Sequence, residues 1–194
     1  DVVVDFQGQP VGSEILLRNS APAPYPNGTL SLPELLKFVV VAGPAHTNPL
    51  PTSLRPVPAI DPAESAIERD FILRKAADDG CGRQNWLING LGWHDISEYP
   101  VLGTVETWRF INDSGVSHPM HMHLVFFQLL DRQAFTKGAG GEIIPQGDPQ
   151  PPALWEAGWK DTVMVHPGEL VRVIVRFEDY AGRYAYHCHI LEHE

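Results

Sequence analysis

Polar and apolar residues alternate with period two along much of the chain, while the helical period is hard to find. In Leu170-Val171-Arg172-Val173-Ile174-Val175-Arg176-Phe177, the residues Val171, Val173, Val175 and Phe177 fall on one face. Arg172 and Arg176 fall on the other, the signature of a strand with one buried face. Segments 1–6, 14–18, 35–41, 69–75, 104–112, 124–131, 161–165 and 182–187 read as strands in the same way. Short strands punctuated by Gly, Pro and Asn predict an all-β chain, an antiparallel sandwich or barrel. A short helix or turn is expected around 190–193, and little other helix.

The punctuation is uneven. With 17 glycines and 18 prolines, the chain is rich in turn residues. The proline-rich stretch 43–66 reads as a linker, and 138–153 as a long surface loop. The residues before the linker supply three strands, too few to close a sheet and bury a core. They are expected to pack on something beyond themselves. The chain also opens at Asp1 inside a strand-like pattern, which reads as processed or cut.

Composition narrows the function. The 194 residues carry a formal charge of −10, with a pI near 5.3. An acidic surface repels phosphate, which argues against nucleic acid as a partner. A hydrophobic share of 43% suits a packed core rather than disorder. No apolar run approaches the ~18 residues of a membrane span. Two cysteines make no disulfide framework.

Histidine is the informative residue. Six of the nine lie in two short segments, His118-Pro119-Met120-His121-Met122-His123 and His187-Cys188-His189-Ile190-Leu191-Glu192-His193. On a strand, His187 and His189 share one face and Cys188 points to the other. One tripeptide therefore serves two sites back to back. His193, past a turn, can fold back to the Cys188 face. His121 and His123 share a face, and His118 is out of phase with them. The simplest pairing puts His118, Cys188 and His193 on one metal, and groups His121, His123, His187 and His189 around another site. Two imidazoles and a thiolate in a trigonal set define a blue-copper electron-transfer centre. Zinc also accepts Cys and His, usually in a closed four-ligand set with CxxC-type spacing, which is missing here.

Other candidates have plainer readings. His46, His94 and His166 are isolated and read as surface or satisfied core residues. Met120 and Met122 alternate with the histidines and read as packing residues. Trp86, Trp93 and Trp155 read as core or loop anchors. Cys81 sits in a turn, as a thiol or a partner to a segment elsewhere. Asp161 reads either as a carboxylate orienting a ligand imidazole or as a strand-end residue.

At the two histidine segments the sequence resembles the multicopper oxidases, specifically their C-terminal cupredoxin domain. The family's HPxHxH motif is matched by 118–123 and its HCHxxxH motif by 187–193. The surrounding runs 124–132, 158–163 and 182–184 resemble the bacterial branch of laccases, bilirubin oxidases and phenoxazinone synthases. The resemblance implies a Greek-key β-sandwich of cupredoxin type over 67–194, preceded by the last strands of a middle cupredoxin domain over 1–42. It implies that His118, Cys188 and His193 ligate type 1 copper, His121 type 2 copper, and His123, His187 and His189 the type 3 pair. Glu194 matches an acidic residue that assists proton delivery during oxygen reduction. The family's axial ligand, usually Met, lies beyond His193, and Met164 is a weak substitute.

The same resemblance implies one-electron oxidation of phenols or aromatic amines through His193 and Cys188, with dioxygen reduced to water. The runner-up is oxidation of cuprous ion. A third possibility is a copper-binding electron-transfer module without turnover. The family's trinuclear cluster needs eight histidines, and this chain supplies four. The rest are expected from N-terminal cupredoxin domains of the same chain or a partner subunit. The chain is thus expected to be the C-terminal part of a three-domain enzyme. The resemblance favours an extracytoplasmic or spore-associated location.

Overall fold

The structure is a computed structural model that describes residues 3–44, 49, 51, 55–76 and 85–193. The chain divides into two compact units at Pro56/Val57, inside the proline-rich stretch.

The first unit holds one antiparallel pair, β1 (Glu14–Arg18) and β2 (Glu34–Val39). Phe6 packs its ring on Phe38, with centroids 5.1 Å apart. Leu16, Leu17, Leu35 and Leu36 remain exposed, so two strands cover neither of their faces. The strand expected over 1–6 is not found over residues 3–6, which join no sheet; residues 1–2 lie outside the described residues. Period-two apolarity marks a segment able to pair, and here no described strand supplies the partner.

The second unit is all-β, with strands β3 (Ser65–Lys75), β4 (Trp86–Ile88), β5 (Val105–Asn112), β6 (His118–Met122), β7 (Phe127–Lys137), β8 (Ile143–Gln150), β9 (Trp159–Lys160), β10 (Thr162–Val165), β11 (Glu169–Arg176) and β12 (Tyr186–Cys188). The larger sheet runs β4-β3-β5-β11-β7-β8, with β9 also on β7. The smaller sheet is β10-β6-β12. The two sandwich one core. Phe71, Trp108, Phe110, Val171, Val173 and Val175 come from the large sheet, and Met120, Met122, Val163, Val165 and Cys188 from the small one. Each fully buried side chain of this size contributes about 1.5–3 kcal/mol, enough to fix both sheets in register.

Three details differ from expectation. β3 pairs with β5 in parallel, within an otherwise antiparallel arrangement. Part of the expected surface loop is β8, an edge strand on β7. Its side chains are mostly exposed, so burial periodicity is silent, and an edge tolerates Pro145 and Pro149 because one backbone side needs no partner. β11 is buried on both faces at Ile174, which packs with Ile60 and Val105. Its arginines leave that face through ion pairs, Arg172 to Asp131 and Arg176 to Glu64. A third pair anchors β3 to β5: Arg69 donates to the buried Glu106 carboxylate at 2.6 and 2.9 Å, and Trp108 Nε1 donates to it at 2.9 Å. Among the described residues, no helix is long and apolar enough to cross a membrane.

Candidate metal centre

The small sheet places the histidines. β6 is its central strand, with β12 and β10 antiparallel on either side. In register, His187 faces His121, Cys188 faces Met120, Thr162 faces His121 and Val165 faces His118. Directly paired residues share a face. Hence His118, Met120, Met122 and Cys188 point to the core side, and His121, His123 and His187 to the other. Met120 and Met122 are buried and complete the packing beneath the thiol. Leu124, at a φ of 72°, turns the chain immediately after His123.

On the core side, His118, Cys188 and His193 bring one nitrogen or sulfur each to within 4.8 Å of one another. The Nδ1 atoms of His118 and His193 lie 3.1 Å apart, and Cys188 Sγ lies 3.5 Å from His193 Nδ1. A single 3-10 turn, Leu191–His193, returns His193 to the thiol; its amide donates to the Ile190 carbonyl at 2.8 Å. Burial, with a smaller contribution from the charge of His193, pushes the His118 imidazole down to about 4. Burial also lowers His193, against the opposing pull of Glu192. Both rings are therefore neutral near pH 7, with lone pairs available to a metal.

On the opposite face, His121, His123 and His187 gather to within the same 4.8 Å. His123 Nε2 and His187 Nε2 are 3.0 Å apart. The His189 ring stands 5.3 Å from that of His121 and 5.5 Å from that of His187. Backbone carbonyls orient the rings. His121 Nδ1 is 2.8 Å from the Asp161 carbonyl and 3.1 Å from Thr162 Oγ1, and His187 Nδ1 is 2.9 Å from the Cys188 carbonyl. Asp161 thus reaches His121 through its main chain, while its carboxylate accepts from Thr162 Oγ1 at 3.0 Å.

The donor chemistry fits copper. Two neutral imidazoles and a thiol, with no fourth His, Cys, Asp or Glu gathered among the described residues, suit a trigonal copper site better than a closed zinc site. The all-imidazole set suits copper equally. Met164 alternates with the buried Val163 and Val165, so its side chain leaves on the face away from Cys188. Glu194 and Cys81 lie outside the described residues, as does His46.

Two neighbours were not singled out as site residues by their spacing. Trp86 stands against His193, with ring centroids 4.2 Å apart, and against His118 at 4.9 Å. Ser114 Oγ lies 2.8 Å from His118 Nε2. An Asn-x-Ser turn directly before the first histidine segment was the available signal for Ser114; nothing local marks Trp86. Trp93 stands edge-on to His187 at 5.4 Å, and Trp155 is exposed.

Comparison with known proteins gives the family. The family model described as multicopper oxidase matches residues 77–194. The laccases of Bacillus stratosphericus and Bacillus subtilis are 37% and 36% identical over 201 residues, covering all of this chain. The chain spans 39% of the length of each. The crystal structure of McoA multicopper oxidase from Aquifex aeolicus superposes with a TM-score of 0.66 at 29% identity, covering 98% of this chain and 40% of that one. A laccase structure from Pediococcus acidilactici gives 0.66 at 26% identity, with 98% and 35% covered. By motif, fold and matched family model, this chain belongs to the multicopper oxidases.

Proposed function

We propose that the chain works within a laccase-like multicopper oxidase, which oxidises phenols or aromatic amines one electron at a time and reduces dioxygen to water. In this reading 67–194 is the C-terminal cupredoxin domain, 43–66 the linker, and 1–42 the last strands of a middle cupredoxin domain. His118, Cys188 and His193 hold type 1 copper, His121 type 2 copper, and His123, His187 and His189 the type 3 pair. The four further histidines of the trinuclear cluster come from N-terminal cupredoxin domains, of the same chain or of a partner subunit. Glu194, the residue after His193 in sequence, is assigned proton delivery to that cluster.

One observation carries the reading. Cys188 joins the His118–His193 side while its sequence neighbour His187 joins the His121–His123 side, so the peptide bond between them connects the two donor sets. Bound copper supplies the one-electron chemistry and the activation of dioxygen. The protein supplies the rest. Neutral rings offer Nδ1 on the core side, carbonyls hold the outer rings, and Met120, Met122 and Val163 keep water from the thiol. The aromatic Trp86 beside His193 suits an aromatic donor. The methionines favour it too, since Met120 and Met122 are committed to the core, leaving no thioether cluster for cuprous ion among the described residues.

The test is spectroscopic. The copper-loaded full-length protein is expected to show intense absorption toward the red end of the visible, from thiolate charge transfer. Cys188→Ser is expected to abolish that band, and a variant that keeps it refutes the assignment.

A further inference from the structure

His118 has two ring nitrogens, and a metal can use only one that carries no proton. Nδ1 faces the neighbouring donors, 3.1 Å from His193 Nδ1. Nε2 faces Ser114 Oγ at 2.8 Å. Which nitrogen holds the proton is decided behind Ser114, by the buried Asn112.

The amide of Asn112 has one possible orientation. Its Nδ2 lies 2.8 Å from the Val116 carbonyl and 2.9 Å from the Val165 carbonyl. Two carbonyls can be met only by an NH2 group, so both amide hydrogens are spent and Oδ1 is the acceptor. Ser114 confirms this by donating its backbone N–H to Oδ1 at 3.0 Å. Ser114 Oγ stands 2.6 Å from the same oxygen, a distance two oxygens keep only with a hydrogen between them. The Val116 carbonyl lies 3.1 Å from the same Oγ, so the single hydroxyl hydrogen is held on the Asn112 and Val116 side and leaves Ser114 Oγ as an acceptor toward His118. The remaining donor is His118 Nε2–H.

We propose that Asn112 and Ser114 are positioning residues that lock His118 in its Nε2–H tautomer, so that the bare Nδ1 lone pair is aimed at the copper before copper arrives. Turning the ring over would set Cδ2–H where Nδ1 faces the neighbouring donors and Cε1–H against Ser114 Oγ, leaving Ser114 without its donor. The lock ties the site to one strand of each sheet, since Asn112 ends β5 and the Val165 carbonyl belongs to β10. The inference rests on His118 being a copper ligand, as proposed above.

The tautomer is read directly by NMR of the metal-free full-length protein with isotope-labelled histidine at neutral pH. The expected result is a proton on Nε2 of His118 and none on Nδ1. A proton on Nδ1 overturns the proposal without any variant. Ser114→Ala is expected to admit the Nδ1–H form and weaken Cu(I) binding by about 10–100-fold, the usual effect of removing a partner of a metal-bound histidine. Ser114→Thr, which keeps the hydroxyl, is expected to restore both. Unchanged tautomer and affinity in Ser114→Ala overturn the lock. Because the tautomer is observed without copper, its outcome stands apart from the visible band that tests the Cys188 assignment.

Discussion

His118 is a titratable side chain only 2% exposed, and that burial has a consequence for stability. Its ordinary value near 6.5 falls to about 4 in the fold, through loss of solvent and the nearby His193. Between those values the unfolded chain binds more protons than the folded one, so stability falls as pH drops. The full contribution is present above about 6.5 and is lost on the way down to about 4. The metal-free protein is expected to lose on the order of 3 kcal/mol across that window. Denaturant unfolding at successive pH values measures it. His118→Gln is expected to flatten the slope, and a slope that persists unchanged would place its source elsewhere. His193, also lowered by burial, acts in the same direction.

At the scale of the strand, the back-to-back arrangement is a matter of parity. β6 sends His118, Met120 and Met122 one way and His121 and His123 the other, and β12 does the same with Cys188 and His187. Shifting parity by one residue reverses every side chain that follows. An alanine inserted between Met120 and His121 should turn His121 toward the core and Met122 outward. Metal stoichiometry should then fall through loss of the His121–His123–His187 set, while the His118–Cys188–His193 set keeps one ion. Undiminished stoichiometry would show that the strand absorbs the insertion as a bulge. Parity was legible from sequence because it is local, and so was most of β11. β8 and the outer face of Ile174 were not. An exposed edge strand carries no burial pattern, and Ile174 is covered by Ile60, more than a hundred residues earlier.

For the whole molecule the decisive number is four, the histidines His121, His123, His187 and His189 that the proposed function assigns to half of a trinuclear cluster. His46, His94 and His166 are isolated in sequence and form no further HxH pair. The 194-residue chain alone is therefore expected to bind copper yet show no sustained oxygen uptake with a phenolic donor. An oxygen electrode gives the answer, and steady consumption would refute the half-cluster account.

The sequence by itself determined the candidate donor types, the two motifs, and the alternation that sends neighbouring donors to opposite faces. Those follow from covalent order and strand geometry, which act over a few residues. Tertiary structure decided the rest. It set His121 opposite His187 in register, folded His193 back to Cys188, and brought Trp86 against the His118 and His193 rings. It also stacked Asn112, Ser114 and His118 into one hydrogen-bonded chain. These contacts depend on how two sheets close over a shared core. That closure is set by the packing of side chains far apart in the chain, which no local pattern records.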